Sequence, residues 1–260
     1  MKKLAVWLML SVMFCTVVSV GCGGGSNSSD PEQTESLNDD TGSYDPNEEA
    51  RGNSDRVRYL STLTDHYTAK NGDILTGTLR ANVNISIADG AAVTLENVTI
   101  NGVNDESCEW AGITCSGDGV LILKGSNHVK GFYENCPGIY IPENKTLTIR
   151  GKGSLTASSN GYGAGIGGGW YISCGNIVIE GGRINATGGN LCPGIGGGPD
   201  EKCGYITITR NVTKVTATRG ENAPYSIGAG GGAGTCGTVT IGVNVGQSSE
   251  PTCIYPPNAR

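Results

Sequence analysis

Apolar and polar residues alternate in short stretches along most of this chain, and the stretches recur at a nearly constant spacing. One pattern occurs three times between Gly163 and Gly242. It contains a glycine-rich turn with an isoleucine, a Cys-Gly pair, and a strand in which every second residue is apolar. A unit of this size repeated along a sequence is the signature of a solenoid. The three copies read GAGIGGG…CGNIVIEGG, PGIGGG…CGYITITRN and SIGAGGG…CGTVTIG.

The repeat continues towards the N-terminus in a weaker form. When the isoleucine after each turn is used as a marker, successive markers are 26, 26, 27, 29 and 32 residues apart. Each marker is followed by an apolar pair of the I-x-I type, and several copies add a further apolar pair. The pattern predicts two or three short strands per repeat. The markers are Ile87, Ile113, Ile139, Ile166, Ile195 and Ile227.

Strands this short cannot bury their apolar side alone, so successive repeats must stack at strand spacing and pair their backbones. No stretch of the repeats has a helical apolar period. We therefore predict an all-β fold, a single-stranded right-handed parallel β-helix of about six coils. Residues 55–260 form this domain, with an N-terminal cap at 55–84, coils at 85–242 and a C-terminal cap at 243–260.

The N-terminus has the composition of an export signal. Lys2 and Lys3 precede an apolar run from Leu4 to Val18, and Ser-Val-Gly-Cys follows at 19–22. This resembles a bacterial lipoprotein signal, with residues 1–21 removed and Cys22 carrying the lipid, palmitate included. Ser19 departs from the aliphatic residue usual there. The resemblance implies a lipid-anchored protein at the bacterial cell surface or outer membrane. A secretory signal or an uncleaved membrane anchor is the alternative.

The acidic charge of the chain is concentrated in one segment. Residues 23–54 carry eight acidic residues and one basic residue, Arg51, and most of the rest are Ser, Asn, Gly and Pro. Such a segment predicts a disordered spacer between Cys22 and the solenoid. Residues 55–260 carry a formal charge of 15 − 16 = −1. A domain without a basic excess argues against nucleic acid as a partner.

Eight cysteines follow Cys22, and five of them have positions that predict neighbours. Three precede a glycine and a core strand in the three clear copies, so they should stack on adjacent coils. Two others lie shortly before their markers and could also be neighbours. Disulfides in an exported chain and a ladder of buried thiols both fit this pattern. The five are Cys108, Cys136, Cys174, Cys203 and Cys236.

Acidic residues do not form the pattern that a β-helical enzyme needs. Polysaccharide lyases and hydrolases on this scaffold require carboxylates stacked from neighbouring coils. The outward positions here are mostly threonine, so we expect no catalysis. Asp105, Glu106 and Glu109 share one loop and are weak candidates for calcium, with a solvated loop as the alternative. We expect no other cofactor.

Aromatic residues in loops and at outward positions are the remaining candidates for binding. Aromatic rings stack against the C–H faces of sugars. Several such rings come from two loops of one repeat and from the repeat that follows it. These rings could form one stripe, or they could simply cover turns. The candidate glycan-binding residues are Trp110, Tyr140, Tyr162, Trp170, Tyr171 and Tyr205.

The stretch from Gly165 to Ala186, GIGGG…GNIVIEGGRINA, resembles β-helical carbohydrate-binding domains of anaerobic bacteria and GIGGG-repeat lipoproteins. The resemblance covers about residues 85–242 and consists mainly of glycines and core positions. It implies glycan binding or adhesion with a polysaccharide partner, the lipid anchor holding the module at the membrane. A β-helical polysaccharide lyase or glycoside hydrolase and a purely structural or protein-adhesion stalk are the two alternatives.

Overall fold

The computed structural model describes residues 56–243, which form 21 strands and one short 3-10 helix, Leu60–Thr62. The first strands are β1 Val57–Tyr59, β2 Tyr67–Ala69, β3 Ile74–Thr78, β4 Ile85–Ile87, β5 Ala91–Ile100, β6 Ile113–Cys115, β7 Gly119–Lys124, β8 Ser126–Lys130, β9 Ile139–Tyr140, β10 Thr146–Gly151 and β11 Ser154–Ser158. The remainder are β12 Ile166–Gly167, β13 Asn176–Ile179, β14 Arg183–Thr187, β15 Ile195–Gly196, β16 Lys202–Cys203, β17 Ile206–Thr209, β18 Lys214–Thr218, β19 Ile227–Gly228, β20 Thr235–Cys236 and β21 Val239–Val243.

All pairings between these strands are parallel, and they build three faces and a separate two-stranded sheet of β16 and β20. Face A is a seven-stranded sheet in the order β19-β15-β12-β9-β6-β4-β2. A 12-stranded sheet forms the other two faces, because the long strand β5 belongs to both. Its first part pairs with β7 and continues through β10, β13, β17 and β21 as face B. Its last residues pair with β8 and continue through β11, β14 and β18 as face C.

The marker isoleucines lie above one another on face A. Ile113, Ile139, Ile166, Ile195 and Ile227 pair in one column, and each is buried. The prediction of a parallel β-solenoid is confirmed, while its right-handed sense stays a prediction. Full burial of one such side chain contributes about 1.5–3 kcal/mol, and the column supplies one per coil.

The first marker was assigned wrongly. Ser86 pairs with Thr114 and Ile87 with Cys115, which places Ile85 rather than Ile87 in line with Ile113. Both isoleucines are fully buried, so the alternation of apolar residues could not distinguish them. From Ile85 to Ile227 the chain makes five turns.

The pairing on face B also differs from the order of the apolar pairs. Leu147 lies opposite Gly119, and Ile149 lies opposite Leu121. Matching the apolar pair Leu121/Leu123 in order with the pair Leu147/Ile149 would place Leu123 opposite Ile149, but it lies opposite Gly151. The offset of two residues keeps the alternation intact. A shift of two preserves which side chains point inward, so periodicity alone cannot set the register.

The stack begins before the first predicted coil. Strands β2 and β3 lie within residues 55–84, assigned from sequence to the cap, yet they pair in parallel with β4 and β5. Leu60 and Leu75 are fully buried at this end, and Leu63 packs against them only partly buried. Asp73 is buried there as well, and it accepts hydrogen bonds from the Tyr67 hydroxyl at 2.6 Å and the Lys70 amide at 2.9 Å.

Candidate functional site

Three of the predicted glycan-binding aromatics form one cluster. Tyr162 lies in the loop between β11 and β12, and Trp170 and Tyr171 lie in the loop between β12 and β13. The ring centroids of Tyr162 and Trp170 are 4.4 Å apart at an interplanar angle of 67°, and those of Trp170 and Tyr171 are 5.7 Å apart. Tyr162 and Trp170 are half-buried, whereas Tyr171 is 80% exposed. We call these three residues the aromatic cluster.

Tyr171 is held out by a strained turn. The amides and carbonyls of Gly169 and Ile172 bond to each other in both directions, at 3.1 and 3.0 Å, and close a four-residue turn. Tyr171 is the third residue of this turn and has φ of 60°. A turn with positive φ at this position favours Gly or Asn. A bulky residue there costs roughly 1–2 kcal/mol.

The neighbouring coils meet the same backbone demand without an aromatic residue. Gly167 pairs with Gly196, and Gly196 pairs with Gly228, so Tyr171 corresponds to Asp200 and Gly232. Asp200 has φ of 60° and Gly232 has φ of 68°. Both residue types tolerate this conformation. An aromatic residue therefore replaces a favourable turn residue in this coil alone of the three, with its ring in solvent.

The backbone of the preceding coil supports the cluster from below. The Trp170 amide donates a hydrogen bond to the carbonyl of Asn135 at 3.2 Å, and the Tyr162 amide donates one to the carbonyl of Glu134. Glu134 and Asn135 are themselves half-buried. The rings therefore lie next to a loop with polar residues, and aromatic faces near polar groups are the combination that sugar C–H faces and hydroxyls require.

The other three predicted aromatics lie elsewhere. Trp110 packs between His66 and Phe132, with ring centroids at 5.4 and 5.7 Å. Tyr140 is on β9 of face A and is half-buried, and burial, with Cys174 and Glu143 nearby, raises its pKa. Tyr205 is 42% exposed in the connection between β16 and β17, and it makes no ring contact within residues 56–243. The aromatic cluster therefore does not include Tyr205.

Three of the predicted cysteines form a column. Cys174 pairs with Cys203 in a parallel bridge, and Cys203 pairs with Cys236 between β16 and β20. The thiols of Cys174 and Cys236 also point at backbone carbonyls, those of Gly196 at 3.5 Å and Gly204 at 3.4 Å. All seven described cysteines are free thiols in the structure. The Cys108 sulfur lies 3.7 Å from the Ser107 hydroxyl, while Cys136 is buried in the next coil.

The column gives its cysteines different acidities. Hydrogen bonds to Cys174 and Cys236, together with burial, raise the pKa of Cys203. The pKa of Cys236 is lowered, chiefly because the Cys203 thiol donates a hydrogen bond to its sulfur. Burial raises the pKa of Cys115 and of Cys192 to about 12. Cys236 is also the one cysteine of residues 56–243 that is not fully buried.

Among the seven described cysteines, we expect Cys236 to be alkylated first when the full-length protein is treated with iodoacetamide near neutral pH. The thiolate is the reacting form, so a lowered pKa and partial exposure should make Cys236 at least about tenfold faster than Cys115 or Cys192. Peptide mass spectrometry over a time course measures each site. The Cys203→Ala variant removes the donated hydrogen bond and should slow Cys236, whereas Cys192→Ala should not. Equal rates at Cys236 and Cys115 in the folded protein would contradict this order.

In the acidic loop, Asp105 stabilises the turn in which it lies. Asp105 accepts hydrogen bonds from the amide and the hydroxyl of Ser107, at 2.8 and 2.7 Å. These two bonds lower the pKa of the Asp105 carboxyl, although it is fully exposed. Within residues 56–243, no group of three or more His, Cys, Asp or Glu side chains is arranged to hold a metal ion. Asp105 thus stabilises its own turn, while calcium binding by this loop stays a prediction.

Several sequence predictions lie outside the described residues. These are the signal at 1–21, the lipidated Cys22, the acidic linker at 22–54 and nearly all of the C-terminal cap at 243–260. Between residues 56 and 243, the chain has no helix that is long and apolar enough to span a membrane.

A family model described as a beta helix repeat matches residues 147–170 and 177–199. In these two stretches the chain is similar to beta helix repeats. The matches run from β10 to the aromatic cluster and from β13 to the glycines after β15. Neither the curated proteins nor the solved structures include a match to the chain. The comparison thus agrees with the solenoid and carries no information on a ligand.

Two features of the structure were not predicted from the sequence. The strained position of Tyr171 was visible in principle, because aligning the glycine clusters places it against Asp200 and Gly232. The second feature is a group of cationic side chains, Lys124, Lys152 and Arg183, around one groove. Averaging the charge over residues 55–260 concealed it, since a net charge carries no information on where the charges lie.

Proposed function

We propose that this protein is a lipid-anchored, extracytoplasmic β-solenoid that binds glycans at the aromatic cluster and does not cleave them. The supporting observation is the ring of Tyr171, 80% exposed on a turn whose backbone favours a different residue. Strain of this kind is retained where surrounding structure or function requires it. Because most of the ring is exposed to solvent, its burial offsets little of the backbone strain energy. Stacking against a ligand would explain why an aromatic residue occupies this position.

The aromatic cluster suits a sugar better than a small apolar ligand. Tyr162 meets Trp170 at a steep angle, so the rings form a stepped surface and not a closed pocket. Such a surface accepts the face of a pyranose from solvent, and the loop of Glu134 and Asn135, whose carbonyls bond to the amides of the cluster, supplies polar residues for hydroxyl groups. The anchor part of the proposal is supported by the sequence at Ser19–Cys22 and places the solenoid outside the cytoplasm.

The Tyr171→Asn variant separates binding from folding. Asparagine tolerates positive φ, so this change should raise the free energy of unfolding by about 1 kcal/mol while removing the ring. We expect the same variant to lose at least about tenfold in affinity for the bound glycan, which corresponds to about 1.4 kcal/mol. Binding is measured by a glycan array followed by titration of the best ligand with the full-length protein.

Tyr205→Asn is the matched control, because Tyr205 is exposed but has no ring contact with the aromatic cluster. It should leave the affinity unchanged. An array without any retained glycan would contradict the proposal, as would equal losses in the two variants. New reducing ends or unsaturated products in the incubated ligand would favour the enzymatic alternative.

A further inference from the structure

A shallow groove of about 600 Å³ lies where face B turns into face C. Its lining comes from the turns after β7 and β10 and from the first residue of β14, and it includes Lys124, Lys152 and Arg183. All three side chains are exposed. We call these residues, with Lys214 on the neighbouring strand β18, the cationic groove.

Glycines shape the floor of the cationic groove. Gly125, Gly151 and Gly153 all line it. A Cβ atom at Gly153 would lie 2.8 Å from the carbonyl oxygen of Gly125, and one at Gly151 would overlap the backbone of Leu123. Larger residues therefore cannot occupy these turns, and the backbone stays bare between the basic side chains. The result is a depression with cationic walls and glycine backbone at its base.

Two basic residues of the cationic groove lie on adjacent strands, where their like charges repel each other. Arg183 pairs in register with Lys214, so two residues of like charge lie on adjacent strands, whose backbones are about 4.8 Å apart. Like charges directly opposite each other destabilise a sheet. No side chain of the cationic groove forms a salt bridge or a hydrogen bond with another described residue. Glu96 lies in register with Lys124, and Glu180 precedes β14, yet neither forms a salt bridge with the groove.

We propose that the cationic groove binds an acidic polysaccharide through its carboxylate or sulfate groups. An anionic group between Arg183 and Lys214 would relieve their repulsion and form charge-assisted hydrogen bonds with both. A polymer with regularly spaced charges fits, because the solenoid repeats its coils at a regular spacing. The exposed Thr213 and half-buried Ser154 add hydroxyl groups to the lining.

Nucleic acid fits this surface less well. Proteins that bind single strands combine a basic groove with aromatic residues on which bases stack. The groove lining contains no aromatic residue. The inference is independent of the aromatic cluster, which lies in other loops.

Titration of the full-length protein with alginate, dextran sulfate, neutral dextran and oligo(dT) tests the proposal. We expect salt-sensitive binding of alginate or dextran sulfate, and the stronger of the two identifies the preferred anionic group. The double variant Lys152→Glu/Arg183→Glu should weaken that binding at least tenfold. Tyr171→Asn should leave it unchanged, which separates this groove from the glycan site proposed above.

Lys70→Glu/Arg80→Glu is the matched control, because it changes the net charge equally at exposed positions near β3. It should retain most of the binding. A loss as large as that of the groove variant would show a net-charge effect and overturn the proposal. Tighter binding of oligo(dT) than of either acidic polysaccharide would overturn it as well, and so would equal binding of neutral dextran or no binding at all.

Discussion

Replacement of Gly167 by alanine is expected to lower the free energy of unfolding by about 4 kcal/mol, the sum of an overpacking cost and a backbone cost. Gly167 is a strand residue of β12, with φ of 138°. A Cβ atom there would overlap the carbonyl oxygen of Gly196 in the next coil. That neighbour is backbone within a stacked sheet, so it cannot move aside without disturbing the coil above.

Gly90→Ala is the matched control for this effect. Gly90 also has positive φ, 74°, but its added Cβ atom would meet no other atom within 4 Å. It should therefore show only the backbone cost, about 1 kcal/mol. Urea unfolding of the full-length protein, followed by circular dichroism, measures both variants. If the two substitutions cost the same, steric overlap between coils is not the reason for the glycine at position 167.

Asn127→Leu is expected to destabilise the protein by about 3 kcal/mol or more, at 1–3 kcal/mol for each buried group left unsatisfied. Asn127 is fully buried on face C. Its side-chain oxygen accepts a hydrogen bond from the Val98 amide, and its side-chain nitrogen donates to the carbonyls of Lys124 and Ser154, all at 3.0 Å. Leucine fits the apolar column, where Asn127 pairs with Leu155, but it satisfies none of these groups.

The prediction for Asn127 contradicts what the repeat pattern alone would recommend, since the corresponding positions of other coils are apolar. The same denaturation experiment measures it. Asn185→Leu serves as control, because Asn185 is exposed on β14 and its replacement should change stability by no more than about 0.5 kcal/mol. A neutral or stabilising effect of Asn127→Leu would show that its three hydrogen bonds contribute little.

The glycine clusters show where sequence interpretation stopped short. The pattern predicts tight turns at Gly165–Gly169 and Gly194–Gly198, but Gly167 and Gly196 are strand residues that pair with each other. The reason for glycine is close approach of coils, visible at Gly165, whose Cβ atom would lie 2.8 Å from three backbone atoms. Spacing in a sequence does not reveal how near two coils pass.

The cysteines show the opposite case. Their position before Gly-strand units predicts that Cys174, Cys203 and Cys236 stack, and the register places them side by side. The repeat carries this information because residues at equal places in successive coils become neighbours. The differing pKa directions of Cys203 and Cys236 do not follow from spacing, since they depend on which sulfur donates and which accepts.

Repetition and alternation in the sequence determined the architecture: stacked coils, parallel pairing and which side chains point inward. Both patterns relate residues that are one coil or two positions apart, so they can be read directly from the amino-acid sequence. Only the tertiary structure decided the two-residue register offsets and the grouping of Lys152, Arg183 and Lys214. Those features arise from turns of unequal length, which bring side chains from different coils to one corner without leaving a periodic trace.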